Sequence, residues 1–261
     1  MRTLAVLPSR FAASRFPGKP LALIAGRPMI QWVWEAARQA RGVDRVVVAT
    51  DDERIQSAVN DFEGEVVLTD PALPSGTDRV AAALGLLGGA FDLVINIQGD
   101  EPAMHPETIA AVVRLMEEQP DLPMGTAACA FHSPEELFNP NAVKVVTDDR
   151  RRALYFSRSP IPYLRHSSRF EADFRPWMEP GQLGLFKRHL GIYAYRPAAL
   201  QTFTGMAPHP LERIEMLEQL RALAAGLAIG VAQTPHLSLG VDTPEDVAPV
   251  EALLKAQGRL G

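Results

Sequence analysis

The stretch RVVVATDDERIQSAVNDFEGEVVLT, residues 45–69, sets two short valine-rich runs on either side of a helical pattern. RVVVAT and EVVLT are continuous apolar runs without polar alternation, so each reads as a strand covered on both faces. DERIQSAVNDF between them reads as a helix. Strands joined through a helix run parallel, which makes this stretch a β-α-β unit. Working outward, TLAVLP (3–8) reads as a strand and PMIQWVWEAARQARG (28–42) as a helix. Ile30, Val33, Trp34 and Ala37 share one face of that helix, and Gly42 ends it. TDRVAAALGLL (77–87) reads as a further helix and LVINIQ (93–98) as a further strand. The expected class is α/β: a mostly parallel sheet with helices on both faces.

After about residue 125 the pattern changes. GTAACAFHS, AVKVVTD, RALYFSRS and HLGIYAYR are strand-like, and the first three have no helix-length segment between them. The expectation is a smaller mixed or antiparallel excursion over about 130–200. Residues 162–187 mix proline, charge and aromatics without a period and read as a long loop. PLERIEMLEQLRALAAG (210–226) reads as helix, AIGVAQ (228–233) as strand, and DTPEDV (242–247) opens a last helix. No repeat or low-complexity tract divides the chain, so residues 1–261 are read as one domain.

Composition narrows the classes. A hydrophobic content of 47% over 261 residues suits a globular enzyme, and a net charge of −5 argues against general nucleic-acid binding. The single cysteine, Cys129, lies in an apolar run; it reads as a buried small side chain and fits a reducing cytoplasm. The N-terminus lacks the apolar core of a signal peptide, and VAAALGLLGGAF (80–91) is too short to span a bilayer. The expectation is a soluble cytoplasmic protein with no membrane partner.

The chemistry gathers on loops. Arg10, Arg15 and Lys19 follow the first strand on a segment that Pro8, Pro17, Gly18 and Pro20 keep from winding. Cations on such a loop suit a polyphosphate. INIQGDEP (95–102) places Asp100 and Glu101 beyond a buried strand, where open α/β sheets bind ligands. LGVDTPEDV (239–247) places Asp242 past a strand expected to end near Val241. The two aspartates are candidates for a shared magnesium site. Asp242 also reads as a bystander to a helix start, with Thr243 as N-cap, Pro244 at N1 and Asp246 at N3. PSGTDRV (74–80) is a turn into a helix, where Ser75 or Thr77 reads as an ordinary N-cap or as part of an anion site. Alternation in RHLGIYAY (188–195) puts His189, Gly191, Tyr193 and Tyr195 on one face. Glu218 and Gln219 fall late in an amphipathic helix. Walker A, zinc-ligand, G-x-S-x-G and G-x-G-x-x-G patterns are absent.

In order along the chain, RFAASRFPGKPL, SGTDR, NIQGDEP, FNPNAVKVV, ALYFSR, RHLGIYAY, LERIEMLEQLR and GVDTPEDV resemble the 3-deoxy-manno-octulosonate cytidylyltransferases, or CMP-Kdo synthetases. Ser9 departs from the alanine usual before the first arginine. The resemblance implies a nucleotidyltransferase fold whose excursion helps form a homodimer. It implies transfer of CMP from CTP to Kdo, releasing pyrophosphate, for lipopolysaccharide synthesis. Arg10, Arg15 and Lys19 would hold the triphosphate, and Ser75, Gly76 and Arg79 the cytidine side. Asp100 and Asp242 would carry magnesium. Gln98, Arg158, His189, Tyr193, Glu218 and Gln219 would line the sugar pocket, with Arg158 and His189 orienting the sugar acid. Lys19, Arg15 and the two aspartates would be the catalytic set. Synthetases for CMP-N-acylneuraminate and for the 8-amino form of CMP-Kdo are the alternative readings.

Overall fold

The computed structural model describes residues 1–12, 16–164 and 181–260. The strand β1 (Thr3–Ser9) is buried along its length. Its alternate side chains enter two cores: Ala5 and Leu7 face one, Leu4 and Val6 the other. A central strand sandwiched between helices needs this double-sided burial.

Helix α1 (Met29–Gln39) buries Ile30, Val33, Trp34 and Ala37 in the first core, the face expected from its spacing. A two-residue ribbon, β2 (Leu23–Ile24) with β3 (Arg27–Pro28), precedes it. Strand β4 (Arg45–Thr50), helix α2 (Glu53–Asp61) and strand β5 (Glu65–Leu68) form the expected unit; Asp52 caps α2 through the Arg54 amide. β4 pairs parallel with β1, and β5 parallel with β4. Helix α3 (Gly76–Leu87) leads to β6 (Leu93–Ile97), which returns to the other side of β1, again parallel. Helix α4 (Pro106–Glu118), to which the pattern reading assigned nothing, buries Ile109, Val112, Val113 and Met116 in the first core.

The expected antiparallel excursion is present, over a shorter span than about 130–200. β7 (Met124–Ala130) and β10 (Lys187–Tyr195) belong to the main sheet, not to a side structure. Among the described residues the sheet runs β11-β7-β10-β6-β1-β4-β5, with β11 (Ile229–Gln233) at one edge. β10 is antiparallel to both β6 and β7, while β7 and β11 pair parallel. Among the described residues, β8 (Lys144–Thr147) and β9 (Ala153–Ser157) form an antiparallel branch, joined to the sheet through β10. A short helix, α5 (Pro134–Phe138), separates β7 from β8. The second core lies under α3, α6 (Pro197–Thr204) and the segment after it, with Val80, Leu200, Phe203 and Leu220 packed on Val94 and Tyr195.

Two further expectations are corrected. The helix read over 210–226 is broken into α7 (Pro210–Glu215) and α8 (Gln219–Ala224), because Met216 adopts a left-handed conformation at φ 52°. The stretch before Asp242 is irregular, since β11 ends at Gln233; Val241 is nonetheless fully buried. A final helix, α9 (Val247–Ala256), follows. Of the 162–187 loop, residues 165–180 lie outside the described residues, as does Arg15. Cys129 is buried, as expected, and burial pushes its thiol up to about 11. Among the described residues no helix is long and apolar enough to cross a membrane.

Candidate active site

β1 has β4 on one side and β6 on the other, so the chain leaves its central strand in both directions. The loops after β1 and β6 part at that point, and the crevice between them is the ligand position of open α/β sheets. Gly18 turns the loop after β1 in a left-handed conformation, φ 72°, with its amide bonded to the Phe11 carbonyl. A Cβ there would also stand 3.0 Å from the Phe11 ring. The turn delivers Lys19, whose Nζ donates to Asp100 Oδ2 at 2.6 Å and to Asp242 Oδ1 at 3.4 Å. Two carboxylates distant in sequence thus converge on one cation.

A cavity of about 240 Å³ opens beside this triad, with Arg10, Lys19, Gly76, Gln98 and Asp100 among its walls. Gly76 is the first residue of α3, so a helix N-terminus adjoins the cavity, a place suited to an anion. Ser75 is the ordinary N-cap: its hydroxyl accepts from the Asp78 amide and donates to Asp78 Oδ2. It is not among the cavity walls. Arg79 does line the cavity, but its guanidinium is committed elsewhere, to Asp51 at 2.9 Å and to Thr69. It is fully buried, and desolvation lowers its pKa against the pull of Asp51. Its observed partners are structural.

A second cavity, about 520 Å³, lies on the other side of the triad. His189, Tyr193, Glu218, Gln219 and Asp242 line it, and Gln98 is a wall of both cavities. The expected shared face of β10 is present: the His189 and Tyr193 rings lie 5.4 Å apart, those of Tyr193 and Tyr195 6.3 Å. His189 is not a cation, since burial pushes its imidazole down to about 3. Its Nε2 lies 3.0 Å from Thr126 Oγ1. That hydroxyl already donates its proton to the Ile192 carbonyl at 2.7 Å, so Nε2–H is the donor and Nδ1 remains an acceptor. Burial also raises Tyr193 well above the usual phenol range, keeping it neutral. Glu218 accepts from Thr77 at 2.6 Å from its place at the start of α8, beyond the Met216 break. Gln219 Nε2 is buried and, among the described residues, has no hydrogen-bond partner.

Arg158 is not brought to either cavity wall. Its guanidinium donates to the carbonyls of Glu215, Pro140 and Met216, clamping the β9 end to the end of α7 and to the turn before β8. Among the described residues the cation at the larger cavity is Arg188, 3.6 Å from Glu136, which pattern reading passed over because strand alternation sets it opposite His189. Glu101 and Ser238 are walls there too. Burial pushes the Glu101 carboxyl up to about 7; a Ser238 hydrogen bond opposes this and Asp100 adds to it.

Among the described residues no cluster of three or more metal-ligating side chains exists. Asp100 and Asp242 are two hard oxygen donors held around one positive charge, a set that fits magnesium completed by phosphate oxygens and water.

Residues 4–229 match the family model described as Cytidylyltransferase. A 3-deoxy-manno-octulosonate cytidylyltransferase of Syntrophotalea carbinolica is 50% identical over 98% of this chain and 99% of its own. A protein of the same name from Halorhodospira halophila is 48% identical, over 96% of each chain. A solved structure of CMP:2-keto-3-deoxy-manno-octonic acid synthetase complexed with CTP superposes with a TM-score of 0.86 at 39% identity, covering 98% of this chain and 100% of that one.

Proposed function

The chain belongs to the 3-deoxy-manno-octulosonate cytidylyltransferases, within the wider cytidylyltransferase family, and we propose that it transfers CMP from CTP to Kdo, releasing pyrophosphate. The observation that carries this reading is the pair of cavities sharing Gln98 and meeting at Lys19, Asp100 and Asp242. One cavity suits the triphosphate, the other a polar sugar, and the junction is where the reacting atoms would meet.

In the reaction a hydroxyl oxygen of Kdo bonds to the α-phosphorus of CTP. The bond from that phosphorus to the bridging oxygen breaks, pyrophosphate leaves with the electron pair, and the hydroxyl proton passes to water. Catalysis of such a transfer is mainly positioning and charge neutralisation. Lys19 and Arg10 would hold triphosphate oxygens and stabilise the leaving pyrophosphate. Arg15 would join them, by the family resemblance. Magnesium held by Asp100 and Asp242 would neutralise phosphate charge and lower the pKa of the attacking hydroxyl. Neutral His189 offers an acceptor for a sugar hydroxyl, while Arg188, already 3.6 Å from Glu136, is the cation on that cavity's wall that would meet the acid's carboxylate. The buried donor of Gln219 has a ready use as a ligand contact.

The relatives favour Kdo over the nine-carbon and 8-amino acids. Pyrophosphate release from CTP and magnesium, compared across Kdo, 8-amino-Kdo and N-acetylneuraminate, tests the choice. Preference for either of the latter two would overturn it. We further propose a homodimer, supported by Ile214 and Met216, which are 78% and 75% exposed near the Arg158 clamp, and a cytoplasmic setting, which the buried free thiol of Cys129 fits. A monomer mass by light scattering at micromolar concentration would contradict the homodimer.

A further inference from the structure

Asp242 sits on an irregular loop, yet the proposed cation site needs its carboxylate at a set distance from Asp100. Two ties join the loops beside these residues. The Val241 amide donates to the Asp100 carbonyl at 2.9 Å. The hydroxyl of Ser238, itself 4% exposed, donates to Glu101 Oε2 at 2.5 Å. Farther back, Gln257 Nε2 bridges the Ala103 and Leu237 carbonyls, and the His105 and His236 rings stack at 3.6 Å. The first tie is a backbone contact that many sequences could make. The second needs these two side chains.

The surroundings of Glu101 are shaped to admit its carboxylate. A Cβ at Gly191 would stand 3.1 Å from Glu101 Oε1, and one at Gly240 would stand 3.3 Å from the Asp100 carbonyl and 3.5 Å from Glu101 Oε1. Neither glycine has a positive φ, so the backbone does not require them. What they provide is room for the carboxylate between β10 and the Asp242 loop.

We infer that Glu101 and Ser238 are positioning residues, a clamp that seats the Asp242 loop against the Asp100 loop and fixes the spacing of the two aspartates. This rests on the shared cation site proposed above. A clamp acting through an acceptor oxygen makes a distinctive demand: Glu101→Gln keeps an oxygen for Ser238, whereas Glu101→Ala and Ser238→Ala do not.

The test is Mn²⁺ binding, followed by electron paramagnetic resonance on the full chain with saturating CTP and no sugar acid, alongside thermal unfolding. Ser238→Ala and Glu101→Ala should each weaken Mn²⁺ binding about ten-fold, the upper end of what one ordinary hydrogen bond contributes. Glu101→Gln should stay within about three-fold of the parent, on the same scale. Raising Mn²⁺ should then restore most of the turnover of Ser238→Ala. Parent-like Mn²⁺ binding by Ser238→Ala, with binding lost in Asp242→Asn, would overturn the clamp and leave the cation site standing. Parent-like binding by Asp100→Asn and Asp242→Asn would remove the cation site, and the clamp with it.

Discussion

Asp242→Asn separates a catalytic role from a structural one. The substitution keeps the side-chain size, and the local backbone is held without it: Asp246 Oδ2 accepts from the amides of Asp242 and Thr243 at 2.9 and 2.8 Å. Thr243 and Asp246 complete the capping box at the helix start. What the substitution removes is a carboxylate 3.4 Å from Lys19, on a side chain 50% exposed. Ion pairs that open to solvent contribute about 0–1 kcal/mol, so stability should change by less than about 1 kcal/mol. Turnover should fall much further. If Asp242 helps hold a cation that stabilises several kcal/mol of transition-state charge, a loss of about 4 kcal/mol is a factor of about 10³. The assay is pyrophosphate release over a magnesium titration, with urea unfolding in parallel. Near-normal turnover at millimolar magnesium would refute the reasoning and leave Asp242 as a residue beside a helix cap. A stability loss of several kcal/mol would refute it differently, by making the residue structural.

Lys19→Ala should lower kcat more than it weakens CTP binding, because its charge meets the triphosphate most strongly as pyrophosphate departs; equal effects on both would make it a ground-state contact. Arg79→Met should cost about 3–5 kcal/mol of stability by urea unfolding, since it leaves Asp51 without the buried guanidinium; a loss below about 1 kcal/mol would return Arg79 to nucleotide binding. His189 is depressed from 6.5 to about 3, so between those values the unfolded chain binds the extra proton. Its contribution is present above about 6.5 and is lost as pH falls toward 3. His189→Gln should therefore flatten the acid limb of the melting-temperature profile, and an unchanged limb would contradict a buried neutral imidazole.

The parallel half of the sheet was legible because each strand there is an uninterrupted apolar run joined to its neighbour by a local helix. β10 was not, because its place between β6 and β7 depends on pairings with distant strands, and its polar face resembles that of an outlying strand. The break at Met216 was hidden for a related reason: 210–226 has a good helical period, and a single left-handed residue leaves no mark on it. At the site, residue types on loops pointed to the Lys19, Asp100 and Asp242 triad. Ser75 proves the ordinary N-cap that its place before a helix suggested, and Arg158 shows the limit of that reasoning. A guanidinium can serve a ligand or the chain's own backbone, and only the fold reveals that this one serves three carbonyls. Glu101 and Ser238 are far apart in sequence, and no local pattern joins them.

The account turns on CMP passing from one cavity to the other across the Lys19–Asp100–Asp242 junction. The most direct measurement follows the α-phosphorus: CTP carrying a radiolabel there is incubated with Kdo, magnesium and the protein, and the products are separated. Label should appear in a product that contains Kdo, with an equal amount of unlabelled pyrophosphate. Labelled free CMP at the outset, or no labelled sugar product, would contradict transfer across the junction.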